Sequence, residues 1–385
     1  MNHPLRFGIF LPPMHPVGQN PTLTLQRDVE LIEHLDRLGF DEAWIGEHHS
    51  AGYETIASPE VFIGIASQHT RHIKLGTGVS SLPYHHPLIL IDRIIQLDHM
   101  TRGRVMFGVG PGQLTSDAMM LGIHPDNQRR MMEESFEVIM ALLQGETVTR
   151  KTDWFTIQDG VLQLRPYSHP CFDIAVAASI SPSGAKLAGR FGVGLLSLAA
   201  TNPLGFDLLA DHWEVVEEQA AKNGRTADRR NWRMVGPMYV AETEQQALED
   251  CRYGFLNIMN YLSHILPMKP SGATTYEEIV KEVNDTGAGV IGTPEMAIAQ
   301  IERLQKQSGG FGCYMAIGAD FADWRGTLRS YELISQYVMP HFKGQSAPPQ
   351  ASYDRVIGAG DRYISATAHA IEKAIGEYAE ERRKK

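Results

Sequence analysis

A regular alternation of apolar, strand-like runs with amphipathic, helix-like segments constrains the fold of this 385-residue chain more than any other feature. Strands that alternate with helices pair in parallel through right-handed crossovers. Eight strand-like runs predict closure into a (β/α)8 TIM barrel, an α/β fold. The alternative is an open doubly wound sheet, which we disfavour because the glycines of residues 108–112 lack the spacing of a dinucleotide-binding turn. The predicted strands are residues 5–11, 43–47, 73–82, 105–109, 174–178, 195–198, 234–240 and 313–317.

Two stretches interrupt the alternation, and a third follows it. After the fourth strand, residues 148–164 alternate around an Asp159-Gly160 turn, a pattern typical of a hairpin. After the seventh strand, residues 264–292 predict an irregular, mobile insertion. Beyond residue 343, residues 344–350 predict a linker, and residues from 362 onward predict a helix with one apolar seam. We therefore predict a barrel domain over residues 1–343, with insertions after strands 4 and 7. A C-terminal helical extension over residues 344–385 would pack on the barrel or form a subunit contact.

Composition excludes several classes of protein. The apolar fraction of 43% supports a large core, and the net charge of −10 argues against a nucleic-acid-binding surface. Three widely separated cysteines form neither a disulfide framework nor a metal motif, so a reducing compartment is the simplest interpretation. The first residues lack a signal-peptide pattern, and no apolar run has the length of a membrane span. We expect a cytoplasmic protein that binds neither nucleic acid nor membranes.

Glu47-His48-His49 ends the second predicted strand, and His85-His86 follows the third. The carboxyl ends of barrel strands meet at one mouth, so we expect these side chains to lie near each other. Successive side chains of a strand point in opposite directions, so only one of His48 and His49 faces the barrel axis. Two histidine pairs at one mouth favour a reaction site over purely structural hydrogen bonding. Barrels that hydrolyse amides with a metal use His-x-His, which this sequence lacks, and we predict no metal site.

Small residues and hydroxyl groups follow the other predicted strands. Four glycines at the ends of strands three and four would leave a shelf for a flat ring; they are Gly76, Gly78, Gly110 and Gly112. Hydroxyl groups at a helix start, together with Arg129, are typical of an anion site. Each feature alone also fits tight corners, helix capping or a solvated arginine. Together they predict a phosphorylated aromatic cofactor. The hydroxyl groups belong to Ser179, Ser181 and Ser183.

The order of the short motifs resembles the bacterial luciferase-like flavin-dependent monooxygenases over nearly the whole length to residue 343. The motifs include Phe7-Gly8-Ile9-Phe10, Gly39-Phe40-Asp41-Glu42-Ala43-Trp44, Glu47-His48-His49, Leu75-Gly76-Thr77-Gly78, Leu97-Asp98-His99-Met100 and Phe107-Gly108-Val109-Gly110. Within that family, residues 14–16, 58–62 and 81–87 are similar to the limonene 1,2-monooxygenase-like subgroup.

The resemblance implies the oxygenase component of a two-component monooxygenase. Reduced FMN would come from a separate NAD(P)H:flavin reductase, and O2 would be the co-substrate. A C4a-(hydro)peroxyflavin would then oxygenate a small apolar, terpene-like substrate, and the enzyme would be a homodimer. The cofactor carries the hard chemistry in such enzymes, and the protein positions it and excludes water. Two alternatives stay open, a deazaflavin-dependent oxidoreductase and a non-catalytic flavin-binding protein.

The resemblance also assigns roles to residues. His48 corresponds to an active-site histidine near the reacting edge of the flavin, with Glu47 and His49 holding it. The chain from Thr77 to Val79 would bind the ring, with a cis peptide between Gly78 and Val79. Residues 264–292 correspond to a mobile lid. The remaining assignments are Gly110 against the ring face, Arg129, Ser179, Ser181 and Ser183 at the phosphate, and Met14, Tyr84, His86 and Leu114 on the substrate side.

Overall fold

Parallel strands close into a barrel in the computed structural model, which describes residues 3–265 and 272–384. The strands are β1 (Arg6–Met14), β2 (Glu42–Ile45), β3 (Lys74–Ser81), β4 (Val105–Gly110), β5 (Val148–Lys151), β6 (Thr156–Gly160), β7 (Asp173–Ala178), β8 (Gly194–Ser197), β9 (Trp232–Gly236), β10 (Met238–Val240), β11 (Val290–Gly292) and β12 (Cys313–Ala319). Eight of them form the closed order β1-β12-β9-β8-β7-β4-β3-β2. The predicted (β/α)8 barrel is confirmed.

Helices connect the barrel strands and follow the last of them in the chain. They are α1 (Pro21–Leu38), α2 (Pro59–His69), α3 (Pro87–Thr101), α4 (Thr115–Met120), α5 (Gln128–Leu143), α6 (Ser183–Phe191), α7 (Pro203–Asp207), α8 (Leu209–Lys222), α9 (Glu244–Cys251), α10 (Phe255–Ile265), α11 (Tyr276–Thr286), α12 (Pro294–Ser308), α13 (Trp324–Leu333), α14 (Met339–Lys343), α15 (Ala347–Gly358) and α16 (Gly360–Arg383). The sequence fixes several ends: Ser58 caps α2 through the Val61 N–H, and Gly39 ends α1 in the left-handed conformation.

A buried ion pair lies at the amino end of the barrel strands. Arg233 of β9 donates to Glu42 of β2 at 2.6 Å, and both side chains are almost fully buried. Trp44 donates to the same carboxylate at 2.8 Å, and the Arg233 guanidinium lies 4.8 Å from the Trp44 ring centroid. Burial alone would raise the pKa of Glu42, but the charges of Arg233 and Arg6 lower it. The charged side chains at this end of the barrel are thus paired with each other. The candidate site lies at the opposite end, where the strands have their carboxyl ends.

The insertion after the fourth barrel strand contains the predicted hairpin. β5 and β6 pair in antiparallel fashion, which confirms it. The predicted turn at Asp159-Gly160 is wrong, because both residues lie within β6 and the connection runs through residues 152–155. Asp159 does adopt a positive φ of 48°, the property that suggested a turn, and the register shifts opposite it.

The insertion after the seventh barrel strand is more regular than predicted. Residues 234–240 were predicted as one strand, but Pro237, which has no N–H to donate, separates β9 in the barrel from β10. β10 pairs with β11 outside the barrel. The predicted irregular segment 264–292 contains helix α11, which begins with a capping box between Thr275 and Glu278. That prediction is therefore wrong for residues 276–292, and residues 266–271 lie outside the described part of the chain.

Contacts divide the chain into two units, Met1–Met339 and Pro340–Lys385. The second unit contains α15 and α16. The predicted linker over residues 344–350 is wrong from Ala347 onward, because α15 begins there and accommodates its prolines in the first turn. None of the helices within residues 3–265 and 272–384 has the length and apolar character needed to cross a bilayer.

Candidate active site

His48 lies directly after β2, at the carboxyl end of the barrel strands, between two buried carboxylates. Its Nε2 is 2.9 Å from Glu54 Oε2, and its Nδ1 is 3.3 Å from Asp117 Oδ2. Glu54 is 5% exposed and Asp117 is 1% exposed. We call these three residues the His48 cluster. A neutral imidazole has one N–H, so carboxylates at both ring nitrogens favour the doubly protonated imidazolium.

The electrostatics of the His48 cluster agree with its geometry. Burial alone would lower the pKa of His48, but hydrogen bonds to Asp117 and Glu54, and the charges of both carboxylates, raise it to about 9. Burial would raise the pKa of Asp117, but hydrogen bonds from His48 and Ser50 lower it. His48 is therefore a cation at neutral pH, a form that can donate a proton but cannot accept one as a general base.

Glu47 forms a second group of contacts, which we call the Glu47 cluster. Its Oε1 lies 2.6 Å from His85 Nε2 and 3.2 Å from His49 Nε2, and its Oε2 accepts the Ser81 N–H at 2.7 Å. Burial would raise the pKa of Glu47, but the hydrogen bonds from His49 and His85 lower it, so the carboxylate is ionised. Glu47 thus binds the end of β3 and its following turn to the end of β2.

The two clusters correct one prediction and support another. Glu47 does not contact His48, so the prediction that its side chain holds His48 is wrong; Glu54 and Asp117 do so. His49 contributes through its backbone N–H, which donates to Asp117 Oδ1 at 3.1 Å. His48 and His49 do point to different partners, as strand alternation predicted.

Glu54 and Asp117 were missed by the sequence analysis. Asp117 lies on α4, a six-residue helix in a stretch where the alternation loosens. Glu54 lies in a loop with no strand or helix pattern, and it also accepts a hydrogen bond from the Tyr261 hydroxyl at 2.7 Å. In the sequence, only the Glu47-His48-His49 motif indicated a site here. The motif says nothing about Asp117, which lies 69 residues further along the chain.

The ends of β3 and β4 provide backbone without side chains. The peptide between Gly78 and Val79 is cis, as the family resemblance implied. A Cβ on Gly78 would lie 2.8 Å from Trp44 Cβ, and one on Gly110 would lie 2.5 Å from Val79 Cγ2. Thr77 is buried, and its hydroxyl donates to Gly108 O and accepts the Gly108 N–H. Both hydrogen bonds of the Thr77 hydroxyl are thus made within the barrel, so only the backbone of Thr77 is left to contact a ligand.

The starts of α5 and α6 form a second feature of this end of the barrel. Arg190 of α6 contacts Glu133 and Glu137 of α5, so the two helices run side by side. Both follow barrel strands, so their first turns lie at the mouth. No side chain caps α6, and the Ser181 and Ser183 hydroxyl oxygens, 2.9 Å apart, lie at its start.

Arg129, in the first turn of α5, is exposed and has no hydrogen-bond or ion-pair partner among the residues that the structure describes. Its neighbour Arg130 is paired with Glu134 and Asp153. Ser179 is exposed between β7 and α6. Uncapped N–H groups, two hydroxyl groups and a cation are the donors that a phosphate group requires. They fit the phosphate group of a cofactor. The predicted glycine shelf is not seen, because the positions where side chains would begin at Gly78 and Gly110 are filled by Trp44 and Val79.

The predicted substrate-side residues divide into two groups. Met14 and Leu114 are buried, and the Tyr84 ring lies edge-on to His49 at 5.9 Å between centroids. His86 is separate, because its Nε2 lies 3.2 Å from Thr156 O and its ring contacts Phe155 of the β5–β6 hairpin. The structure therefore brings Tyr84 to the Glu47 cluster and joins His86 to the hairpin instead.

His15 is a buried, charged side chain that was not predicted from the sequence. Its ring nitrogens lie 3.1 Å from Asp28 of α1 and 3.1 Å from Asp320 after β12. Burial would lower the pKa of His15, but hydrogen bonds to Asp28 and Asp320 raise it to about 9. His15 thus links the end of β1 to two neighbouring segments.

Comparisons with known proteins agree with this arrangement. The family model described as "Luciferase-like monooxygenase" matches residues 5–310. Limonene 1,2-monooxygenase from Rhodococcus erythropolis is 51% identical over 376 residues, which cover 98% of this chain and 96% of that protein. The 4-hydroxyprotoasukamycin monooxygenase from Streptomyces nodosus subsp. asukaensis is 43% identical over 353 residues, covering 91% and 95%.

Among solved structures, the oxygenating constituent of 3,6-diketocamphane monooxygenase from Pseudomonas putida has a similar fold. That protein is a type II Baeyer–Villiger monooxygenase in complex with FMN. The TM-score is 0.73 at 23% identity, covering 88% of this chain and 99% of that one.

Proposed function

Because this chain belongs to the luciferase-like monooxygenase family and is a flavin-dependent monooxygenase, we propose that it is the oxygenase component of a two-component enzyme. It would use reduced FMN and O2 to oxygenate a small apolar, terpene-like compound. The observation that carries the proposal is the presence, at the carboxyl ends of the strands of one barrel, of a phosphate-type donor set and of His48 between two buried carboxylates. Its net reaction places one oxygen atom of O2 in the substrate and reduces the other to water with the two electrons of reduced FMN.

Residues on two strands and at the starts of two helices would hold the cofactor. Arg129, Ser181 and Ser183 would bind the phosphate, with the open first turn of α6. The backbone of Gly78, Val79 and Gly110 would lie against the ring. Reduced FMN supplies the oxygen chemistry when bound, and the protein supplies orientation and exclusion of water.

His48 would place a fixed positive charge and a proton next to the reacting oxygen. Its contact with Asp117 is the longer of its two contacts, 3.3 Å against 2.9 Å for Glu54. Nδ1 therefore has the weaker of the two carboxylate contacts, and Glu54 keeps Nε2 in place. A cation whose position is already set stabilises developing negative charge without reorganisation.

The apolar substrate class is supported by the residues around the mouth. Met14 belongs to a buried apolar group with Phe255 and Ile258 of α10 and Phe321 after β12. Leu114, next to α4, is also buried. The 51% identity to a limonene 1,2-monooxygenase supports a cyclic monoterpene as the first substrate to test.

The partners that we propose are a separate NAD(P)H:flavin reductase and a second copy of the chain. Exposed apolar side chains that lie one helical turn apart are a common feature of subunit contacts. Val61 and Ile65 of α2 are 65% and 52% exposed and line a groove shared with Leu25 and Val29 of α1. This groove supports the proposed homodimer.

We propose a cytoplasmic location for the enzyme, where the reductase supplies reduced flavin.

The proposal is tested by supplying photoreduced FMN chemically. The protein is mixed with photoreduced FMN, air and a cyclic monoterpene, and products are identified by gas chromatography and mass spectrometry. We expect an oxygenated product with FMN although no reductase is present, and no turnover with a reduced deazaflavin. Turnover with the deazaflavin alone would make the protein a hydride-transfer enzyme. FMN binding without any product would contradict an oxygenase role.

A further inference from the structure

Tyr261 of α10 reaches the His48 cluster from the insertion between β9 and β12. Its hydroxyl donates to Glu54 Oε1 at 2.7 Å, and the other oxygen of the same carboxylate lies 2.9 Å from His48 Nε2. Tyr261 is 8% exposed and Glu54 is 5% exposed. Glu54 therefore bridges α10 and His48, and each of its oxygens has its own partner.

Two further contacts fix the position of the Tyr261 hydroxyl. The Tyr261 ring stacks on Tyr53, with ring centroids 4.2 Å apart and planes 3° from parallel. Phe255 and Ile258, on earlier turns of α10, are fully buried in the apolar group that includes Met14. The helix is thus anchored on the barrel, and its last turn carries a hydroxyl group directed at Glu54.

We propose that Tyr261 is a positioning residue that acts on His48 through the Glu54 carboxylate. The inference rests on the proposed function only for the role of His48. The Tyr261–Glu54–His48 chain couples helix α10 of the insertion to the charge of the catalytic histidine.

The coupling has a definite sign. A carboxylate that accepts two hydrogen bonds is a weaker acceptor for each of them, so the Tyr261 hydroxyl weakens the hold of Glu54 on the His48 proton. Removing the hydroxyl leaves His48 as the donor to Glu54 and makes its imidazolium more stable. The charged groups that face His48 are Glu54 in its loop, Asp117 on α4 and the neighbouring His49.

The test follows the titration of His48 by NMR in cofactor-free protein with isotope-labelled histidine. The His48 signal is identified by its absence in His48→Gln. In Tyr261→Phe we expect the titration midpoint to rise by about half a pH unit or more, and in Glu54→Gln we expect it to fall by about one unit. Tyr53→Leu, which removes the stacking partner, should raise it by a smaller amount.

Tyr276→Phe is the matched control, because its hydroxyl donates to Leu248 O at 2.6 Å within the same insertion. The midpoint of the His48 titration in Tyr276→Phe should equal that in the wild type. An unchanged or lowered midpoint in both Tyr261→Phe and Tyr53→Leu would overturn the proposal, as would an unchanged midpoint in Glu54→Gln. The titration needs neither FMN nor substrate, so a failed oxygenation assay leaves its result intact.

Discussion

His48 is a histidine whose protonation is set by carboxylates on both sides. An imidazole with a pKa near 6.5 is mostly neutral at ordinary cellular pH, whereas the pKa of His48 is raised to about 9. The proton stays on the ring across the physiological range. The imidazolium donates a stronger hydrogen bond to a developing oxygen anion than a neutral imidazole does.

The pH dependence of oxygenation follows from this charge. The imidazolium is present below its pKa and is lost as the pH rises through about 9, so product formed per reduced FMN should fall over that interval. Asp117→Asn removes one of the two charges that stabilise the imidazolium and should move the midpoint to lower pH. The measurement is product yield from about pH 6 to about pH 10. Asp153→Asn, an exposed carboxylate paired with Arg130, is the control and should leave the midpoint in place.

The partners of His48 mark the limit of what its sequence neighbourhood reveals. The His48 and His49 rings do have different partners, although β2 ends at Ile45 and both residues lie beyond it. The proximity of Asp117 depends on how a six-residue helix packs after β4, and that of Glu54 on the path of an irregular loop. Neither position has a periodic pattern, so Glu47, the carboxylate adjacent in sequence, was assigned the role instead.

At the level of helices, α5 and α6 present their first turns at the same end of the barrel. The Arg129 side chain has no hydrogen-bond or ion-pair partner among the described residues, while Arg130 is held by Glu134 and Asp153. The uncapped N–H groups of α6 and the hydroxyl groups of Ser181 and Ser183 complete the donor set. A flavin without a phosphate group gains nothing from these donors.

Arg129→Ala should therefore discriminate between FMN and riboflavin. Losing a charge-assisted contact to phosphate should weaken FMN binding about tenfold or more and leave riboflavin binding within about twofold. Calorimetric titration of both flavins measures the difference. Arg130→Ala serves as the matched control, and equal weakening of FMN by the two variants would remove Arg129 from the phosphate site.

The larger errors in the predicted elements occur in the insertions. The barrel strands are apolar runs buried on both faces, and the helices between them have clear caps, so the alternation alone identified them. β10 and β11 pair outside the barrel after Pro237, and α11 is a polar helix with few apolar positions. The β10–β11 pair depends on contacts between segments about 50 residues apart, and periodicity indicates neither that pairing nor a helix as polar as α11.

For the whole molecule, the fold was predictable from the sequence, whereas the side-chain contacts within the candidate site were not. Parallel strands that alternate with helices leave few topologies, and closure places every strand end at one mouth. The cis peptide at Gly78-Val79 and the open start of α6 lie where the motif order placed them. The Tyr261 contact to Glu54 joins residues 207 positions apart, and only the folded chain shows it.

The most direct test is the isotope content of the product formed in one turnover under 18O2. Wild-type protein mixed with one equivalent of reduced FMN and a cyclic monoterpene should place one 18O atom in each product molecule. His48→Gln should still oxidise reduced FMN but yield at least about tenfold less labelled product. His99→Gln, whose ring contacts Arg165 O on the surface, is the control with wild-type yield. Product without 18O, or equal labelled yield from His48→Gln, would contradict a monooxygenase that depends on His48.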